Sequence, residues 1–357
     1  MKILLLADGR SAHTMRYQSE LIKFGLDVVL ASLERGPTVD IRLKKKSISN
    51  SLNYFFVNHE IKSLVRKWNP DVVNPHFASG YGFSTAVSRV WKRKPVVLHC
   101  LGSDILISPK KSVAHRKKVV YALSKADCIF ADSNYLAEEI GKLYSSARIT
   151  VVPWGVEAEI AVLYSQRAER KWDGRRKLKI FVPRPLSPIY NNRFIIDSLK
   201  DLINDGAISL TFPDRGEDRY NFKKLVTANF PEGRIRFYEF QDRKSYIEFL
   251  KDFDVYLSAS LSDSSPASLI EAMAAGLFPV VADIPGVREW VDDSNSLLFD
   301  PRQGESLLEA INRLRQGRMD FDRILQGNHE RVMKSALFSR NIEKTIKSMS
   351  SFLSNGG

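Results

Sequence analysis

Short apolar runs alternate along this chain with longer segments of helical spacing, and the alternation restarts past the middle. Residues 3–7 read as a buried parallel strand ended by Asp8-Gly9; residues 11–24 have helical spacing closed by Gly25, and residues 27–31 form a second strand. Residues 50–68 carry Val57, Ile61, Leu64, Val65 and Trp68 at the positions of a core-facing helix. Residues 71–74 are a short strand ending in the loop Pro75-His76-Phe77-Ala78-Ser79-Gly80-Tyr81-Gly82. That loop would lie at the carboxyl edge of a parallel sheet, where such folds bind ligands. Residues 95–100, 127–132 and 149–153 supply three more strands, with a helix at 134–143. Strands alternating with helices imply a doubly wound parallel sheet.

Residues 157–177 lose strand character, become polar and charged, and end at Arg175-Arg176-Lys177, which predicts a linker. Strands then recur at 179–182, 208–212, 235–238, 255–257 and 278–282, with helices between them, and 340–353 has the pattern of an amphipathic helix. A chain of 357 residues exceeds the size at which one core keeps growing. The predicted architecture is therefore α/β, with two doubly wound, Rossmann-like domains. These occupy residues 1–160 and 178–335, joined by a linker at 161–177. A C-terminal helix at 336–357 is expected to pack back on the N-terminal domain.

No apolar run approaches the roughly 20 residues that a membrane-spanning helix needs. The opening Met1-Lys2-Ile3-Leu4-Leu5-Leu6-Ala7-Asp8 is charged too early and is too briefly apolar for a signal peptide, so a cytoplasmic location is expected. Cys100 and Cys128 each lie in an apolar, strand-like setting, which favours buried free thiols over a disulfide or metal site. The net charge of +13 is uneven. Residues 1–170 hold 26 Lys and Arg against 15 Asp and Glu, a net of +11, and residues 171–357 hold 28 against 26, a net of +2. The excess is clustered at Arg42-Leu43-Lys44-Lys45-Lys46, Lys92-Arg93-Lys94, Lys110-Lys111 and Arg116-Lys117-Lys118. Such clusters suit an anionic membrane surface or an acidic acceptor, or form a solvated face. No nucleic-acid-binding signature accompanies them, so no nucleic-acid partner is expected.

The stretch Asp263-Ser264-Ser265-Pro266-Ala267-Ser268-Leu269-Ile270-Glu271 carries the densest candidate chemistry. Ser265 suits an N-cap, Pro266 the first helical position, and Gly276 the C′ stop, so a helix is predicted. Its N-terminus presents unpaired N–H groups and positive potential to an anion such as a diphosphate. Asp263 and Glu271 could hydrogen-bond sugar hydroxyls. The same pattern also fits a loop acid and a solvated helix residue.

Several segments together resemble one family. Asp263 to Pro279 resembles the E-x7-E segment of retaining GT-B glycosyltransferases of family four, here as D-x7-E. Phe181-Val182-Pro183-Arg184-Pro185-Leu186-Ser187-Pro188 resembles the strand and arginine turn that open the family's second domain. Ile149 to Val156, Ala126 to Ser133 and the Gly102-Ser103-Asp104 turn are also similar to family segments. The resemblance runs from Lys2 to about Leu298. It implies the GT-B fold and transfer of a sugar from a nucleotide diphosphate with retention, without a metal or other cofactor. It assigns the diphosphate to Arg184 and the helix N-terminus (Ser264, Ser265, Pro266, Ala267, Ser268, Leu269), the transferred sugar to Asp263 and the ribose to Glu271. Front-face displacement is the mechanism it implies, with the leaving phosphate oxygen deprotonating the acceptor.

Two departures stand out. Where the family usually has a lysine, this chain has Tyr190, so either its hydroxyl or Arg193 would replace the second cation. Aspartate replaces glutamate at 263. The family's glycine-rich first loop is reduced to Gly9, which gives His13 and Arg16 a candidate role at the donor phosphates. His76, Gly80, Tyr81, Gly102, Ser103 and Asp104 are candidate acceptor-side residues, with His76 a candidate catalytic group. His99, two residues before Leu101, is not favoured. The expected partners are a nucleotide-sugar donor and a lipid-linked or surface-polysaccharide acceptor, with the basic first domain on an anionic membrane. The alternative is a non-catalytic homologue that binds a nucleotide sugar or scaffolds another enzyme.

Overall fold

The computed structural model describes residues 1–167, 177–239 and 242–354. The chain divides into two compact units, Met1–Pro153 with Ser339–Gly357, and Trp154–Phe338. The changeover thus falls at 153/154, ahead of the boundary expected at 160. Much of the expected linker, 168–176, lies outside the described residues, and its first part belongs to a helix, Ala158–Arg167.

In the first unit the strands are β1 (Lys2–Leu6), β2 (Asp27–Ser32), β3 (Ile41–Arg42), β4 (Val72–Pro75), β5 (Val97–His99), β6 (Cys128–Ala131) and β7 (Ile149–Val151). They form two parallel sheets, β3-β2-β1-β4 and β5-β6-β7, which meet through the parallel bridges Val73↔Val96 and His76↔His99. The almost unbroken apolar character of β1, β4 and β6 follows from being covered on both faces. In the second unit β8 (Leu178–Phe181), β9 (Ile208–Pro213), β10 (Ile235–Tyr238), β11 (Val255–Ser258), β12 (Phe278–Ala282) and β13 (Leu297–Phe299) make one parallel sheet of order β10-β9-β8-β11-β12-β13. Both units therefore wind outward in two directions from their first strand, the doubly wound order. The helix Phe338–Ser354 closes the described chain and runs into the first unit, where Asn341 Nδ2 donates to the Pro153 carbonyl.

The sequence pattern and the structure differ in several places. Residues 50–68 form two helices, Asn50–Phe56 and Asn58–Trp68, rather than one. Val57, Ile61 and Val65 are buried as expected of the second, whereas Leu52, Phe55 and Phe56 on the first are exposed. The expected loop after β4 is an irregular turn from Phe77 to Gly82, broken by non-helical backbone at Gly80, and it runs into the helix Phe83–Ser88. Strand β3, only two residues long, is too short to show an apolar period, and β13 is not among the strands the pattern predicts.

Candidate functional site

In a doubly wound sheet the ligand crevice opens where connections leave the first strand and its neighbour to opposite faces. In the second unit that switch lies between β8 and β11, which pair directly. Arg184 follows the end of β8 and Asp263 follows the end of β11, so residues 79 positions apart in sequence meet there.

Arg184 Nη2 donates to Asp263 Oδ2, and the two side chains are only 15% and 14% exposed. Burial pushes the Asp263 carboxyl above its ordinary value, offset in part by Arg184 and by the Ser264 amide. Burial would depress Arg184, but the adjacent carboxylate outweighs it and the guanidinium is held above its ordinary value. The guanidinium carbon lies 4.4 Å from the centre of the Tyr190 ring. That ring ends the turn Pro188–Tyr190, which is tied to the Asp263 loop by the Leu261 amide donating to the Ile189 carbonyl at 2.9 Å. Tyr190 thus meets Arg184 with its ring face. Arg193 instead pairs with Asp197 on the exposed surface of its own helix.

The helix after Asp263 spans Ala267–Ala274, with extended Pro266 as its N-cap. Ser265 does not cap it, a correction to the sequence expectation: its Oγ accepts from Trp290 Nε1 at 3.0 Å and is turned into the core. Proline sits one position earlier than expected, since its fixed φ also suits the extended cap. The Pro266 carbonyl takes the Leu269 and Ile270 amides, and the amides of Ala267 and Ser268 precede the first intrahelical bond. Ser268 Oγ and Tyr256 OH lie 3.1 Å apart. A Cβ on Gly286 would sit 2.1 Å from the Asp263 carbonyl oxygen, so the turn backing this loop requires glycine.

Glu271 is not a solvated helix residue. It is 5% exposed, its Oε1 accepts from Arg243 Nη2 at 2.6 Å and its Oε2 from Tyr246 OH at 2.8 Å. Arg243 Nη2 also donates to Glu157 Oε2 at 2.7 Å, bridging the two carboxylates. Burial, reinforced by Glu271, pushes the Tyr246 phenol well above its ordinary value. Arg243, Tyr246, Glu157, Gly286 and Trp290 escaped the sequence reading. The only local signal was Asp242, which caps the helix Arg243–Leu250 by accepting the Ser245 amide at 2.8 Å.

The first unit has its switch between β1 and β4. Gly9 follows β1, and a Cβ there would lie 2.1 Å from Val39 Cγ2. His13 is exposed and Arg16 half-buried on the helix Ala12–Lys23. His76 follows β4 and is 1% exposed, with its ring 5.3 Å from that of Tyr17 and 4.7 Å from that of His99. Burial depresses it to about 3, so it is neutral at ordinary pH. Asn74 Nδ2 approaches His99 Nδ1 at 3.0 Å, and Tyr17 OH donates to Asn74 Oδ1 at 3.1 Å.

Asp104 is also buried. Its Oδ2 accepts the Ala78 amide at 2.6 Å and its Oδ1 the Leu101 amide at 3.0 Å, so it clamps the turns after β4 and β5 together. Burial raises it to about 6 against the lowering effect of those amides. The clamp holds Phe77 at a φ of 64°, a region a bulky residue rarely adopts. Gly102, at a φ of 96°, and exposed Ser103 complete the second turn. Tyr81 is buried, and its hydroxyl accepts the Leu33 amide at 2.7 Å. Gly80 is buried, with a Cβ position 3.3 Å from the Tyr54 ring. Among the described residues no group of three His, Cys, Asp or Glu is disposed to hold a metal ion.

Two family models match, "Glycosyl transferase 4-like" over residues 2–133 and "Glycosyl transferases group 1" over residues 165–329. TuaC of Bacillus subtilis (strain 168), named as a candidate teichuronic acid biosynthesis glycosyltransferase, is 26% identical over 260 residues. The match covers 68% of this chain and 61% of TuaC, less than two thirds of that relative's length. Among solved structures, sucrose-phosphate synthase from Thermosynechococcus elongatus matches all of both chains at 15% identity and a TM-score of 0.81. HepE from Anabaena, in complex with UDP and glucose, matches 98% of this chain and 100% of its own at 16% identity and a TM-score of 0.79. At these identities the likeness concerns the fold. With one glycosyltransferase model on each side of the changeover between units, and a doubly wound Rossmann-like sheet in each unit, the chain belongs to the GT-B glycosyltransferases of the family-four-like type.

Proposed function

We propose that this protein transfers a sugar, a hexose or a related one, from a nucleotide-diphosphate sugar to a glycan acceptor with retention at the anomeric carbon. The observation that carries the reading is one constellation at the switch of the second unit: Arg184 paired with Asp263, beside the amide end of the helix that bears Glu271. As the bond from the anomeric carbon to the diphosphate breaks, negative charge collects on the departing oxygens. Arg184 and the Ala267 and Ser268 amides supply fixed positive potential for it, the kind of preorganised stabilisation that lowers such barriers most. This is why metal-independent transfer is proposed. Asp263 is assigned to the sugar's hydroxyls. Glu271 is assigned to the ribose as a buried carboxylate held in place by Arg243 and Tyr246 on the helix whose amide end faces the Arg184–Asp263 pair. The acceptor hydroxyl gives its proton to the leaving phosphate oxygen as its own oxygen bonds the anomeric carbon from the same face.

The acceptor-binding role falls to the first unit, and a lipid-linked or surface-polysaccharide acceptor at the cytoplasmic membrane face is proposed. Its support is the +11 net charge of residues 1–170 and the naming of TuaC for teichuronic acid biosynthesis. The crystals of HepE with UDP and glucose lend weight to a nucleotide-sugar donor. A panel of UDP-, GDP- and ADP-sugars assayed for donor turnover tests the reading, with the product anomer read by NMR. Turnover with retention, abolished by Arg184→Ala and by Glu271→Ala, is expected. An inverted product, or full activity in both variants, would overturn it; tight donor binding without turnover would favour a binding-only homologue.

A further inference from the structure

One helix of the first unit is inside out. On Asn50–Phe56, Leu52, Phe55 and Phe56 occupy i, i+3 and i+4, a single face, yet they are between 36 and 50% exposed. Polar Asn53 on the same helix is buried. Ile48, just ahead of the helix, is fully exposed as well. Isolated exposed apolar residues are ordinary, but a contiguous apolar strip marks an interaction surface.

Asn53 explains how the inversion is held. Its Oδ1 accepts the amides of Lys46 and Ser47, both at 2.8 Å, and its Nδ2 donates to the Ser47 carbonyl at 2.7 Å. The side chain thereby fastens the basic loop Lys44-Lys45-Lys46 to the base of the apolar strip. On another side, Lys118 Nζ lies 5.7 Å from the Tyr54 ring and 4.8 Å from that of Phe83, which brings the helix Val113–Leu123 alongside. That helix contributes exposed Val113, Arg116 and Lys117. The nearby acids are engaged: Glu34 pairs with Lys45, and Glu60 accepts the Lys44 amide.

We propose that this face docks on an anionic lipid bilayer, with Ile48, Leu52, Phe55 and Phe56 entering the acyl boundary and Lys44, Lys46, Arg116 and Lys117 meeting lipid phosphates. The proposal rests on the membrane-face reading above and deepens it by naming the surface. Charge complementarity favours a bilayer over a protein partner, because lysine is depleted at protein interfaces while lysine and arginine next to an apolar strip suit an anionic headgroup layer.

Co-sedimentation of the full chain with phosphatidylglycerol–phosphatidylcholine vesicles tests this at low and at raised salt. Binding is expected to weaken at least about ten-fold in Leu52→Ser/Phe55→Ser/Phe56→Ser, with wild-type donor turnover and unfolding temperature retained. Lys44→Glu/Lys46→Glu/Arg116→Glu/Lys117→Glu should abolish the dependence on anionic lipid. As a second measurement, Ile48→Cys labelled with a polarity-sensitive dye should shift to the blue on vesicles, since Cys100 and Cys128 are buried. Wild-type protein that binds, with an apolar variant binding equally and no dye shift, would overturn this surface and leave membrane attachment to the other basic clusters. Wild-type protein that fails to bind at low salt would overturn both readings.

Discussion

Tyr190 offers the sharpest test of the proposed diphosphate site. Its ring centre is 4.4 Å from the Arg184 guanidinium, well inside the range of cation–π attraction, and Arg184 is mostly buried. At such a desolvated site the contact contributes about 1–2 kcal/mol. The ring and Asp263 together fix the direction of the guanidinium, which in the proposed mechanism acts as the diphosphate departs. Tyr190→Ala should therefore lower kcat/KM about 5- to 30-fold, the rate equivalent of that energy. Tyr190→Phe keeps the ring and loses only the hydroxyl, so it should stay within about two-fold of wild type. Initial rates with whichever nucleotide sugar turns over decide the matter. If Tyr190→Phe falls as far as Tyr190→Ala, the hydroxyl and not the ring is the working part; if neither changes the rate, Arg184 does not depend on this contact.

Three further outcomes are expected. Glu271→Gln sets an amide N–H₂ against Arg243 or Tyr246, both donors, and should lower stability by about 1–3 kcal/mol in urea denaturation while raising the KM for donor; unchanged stability would mean the network is not locked. His76 is held neutral down to about pH 3, whereas in the unfolded chain it protonates below about 6.5, so falling pH favours unfolding. Its stabilisation is complete above pH 6.5 and is lost progressively toward pH 3. Between pH 7 and pH 5 the wild type should lose about 2 kcal/mol more than His76→Gln, and equal losses would refute the assignment. Cys100 and Cys128 should react with a thiol reagent only as the protein unfolds, because both are buried and burial, with Asp104 and Asp132 nearby, pushes the Cys100 thiol well up; rapid native labelling would contradict this.

The sheets were legible because buried parallel strands are written as apolar runs. The Ile235–Tyr238 and Phe278–Ala282 strands fall at the ranges the pattern predicts. Asp263 and Glu271 stand out as candidates because two carboxylates flank a predicted helix start, whereas Arg184 is singled out only by the resemblance of its segment to the family's arginine turn. Arg243 was not legible, since Asp242-Arg243-Lys244 reads like any charged helix start. Only the folded sheet brings it against Glu271 and Glu157, the latter 86 positions away. The exposed face of Asn50–Phe56 was missed for the opposite reason. Its apolar residues fit a core-facing pattern, and the period cannot say which side of a helix meets solvent when one buried asparagine reverses it.

The two units share a strand order but use the switch differently. In the second unit, the charged group after the first strand meets a carboxylate after the fourth, and the helix that follows leaves two amides before its first intrahelical bond. In the first unit, the carboxylate at the corresponding edge, Asp104, takes the Ala78 and Leu101 amides, and the histidine after the fourth strand is packed between two aromatic rings. A carboxylate so buried rises to about 6, which makes Asp104 costly as a bare charge and useful mainly as a clamp. Asp263 is also raised by burial, but its partner is a guanidinium rather than backbone, so charge is concentrated there instead of being dispersed into turns. The proposed stabilisation of a leaving diphosphate needs that concentration, and on that reading donor handling falls to the second unit and acceptor binding to the first.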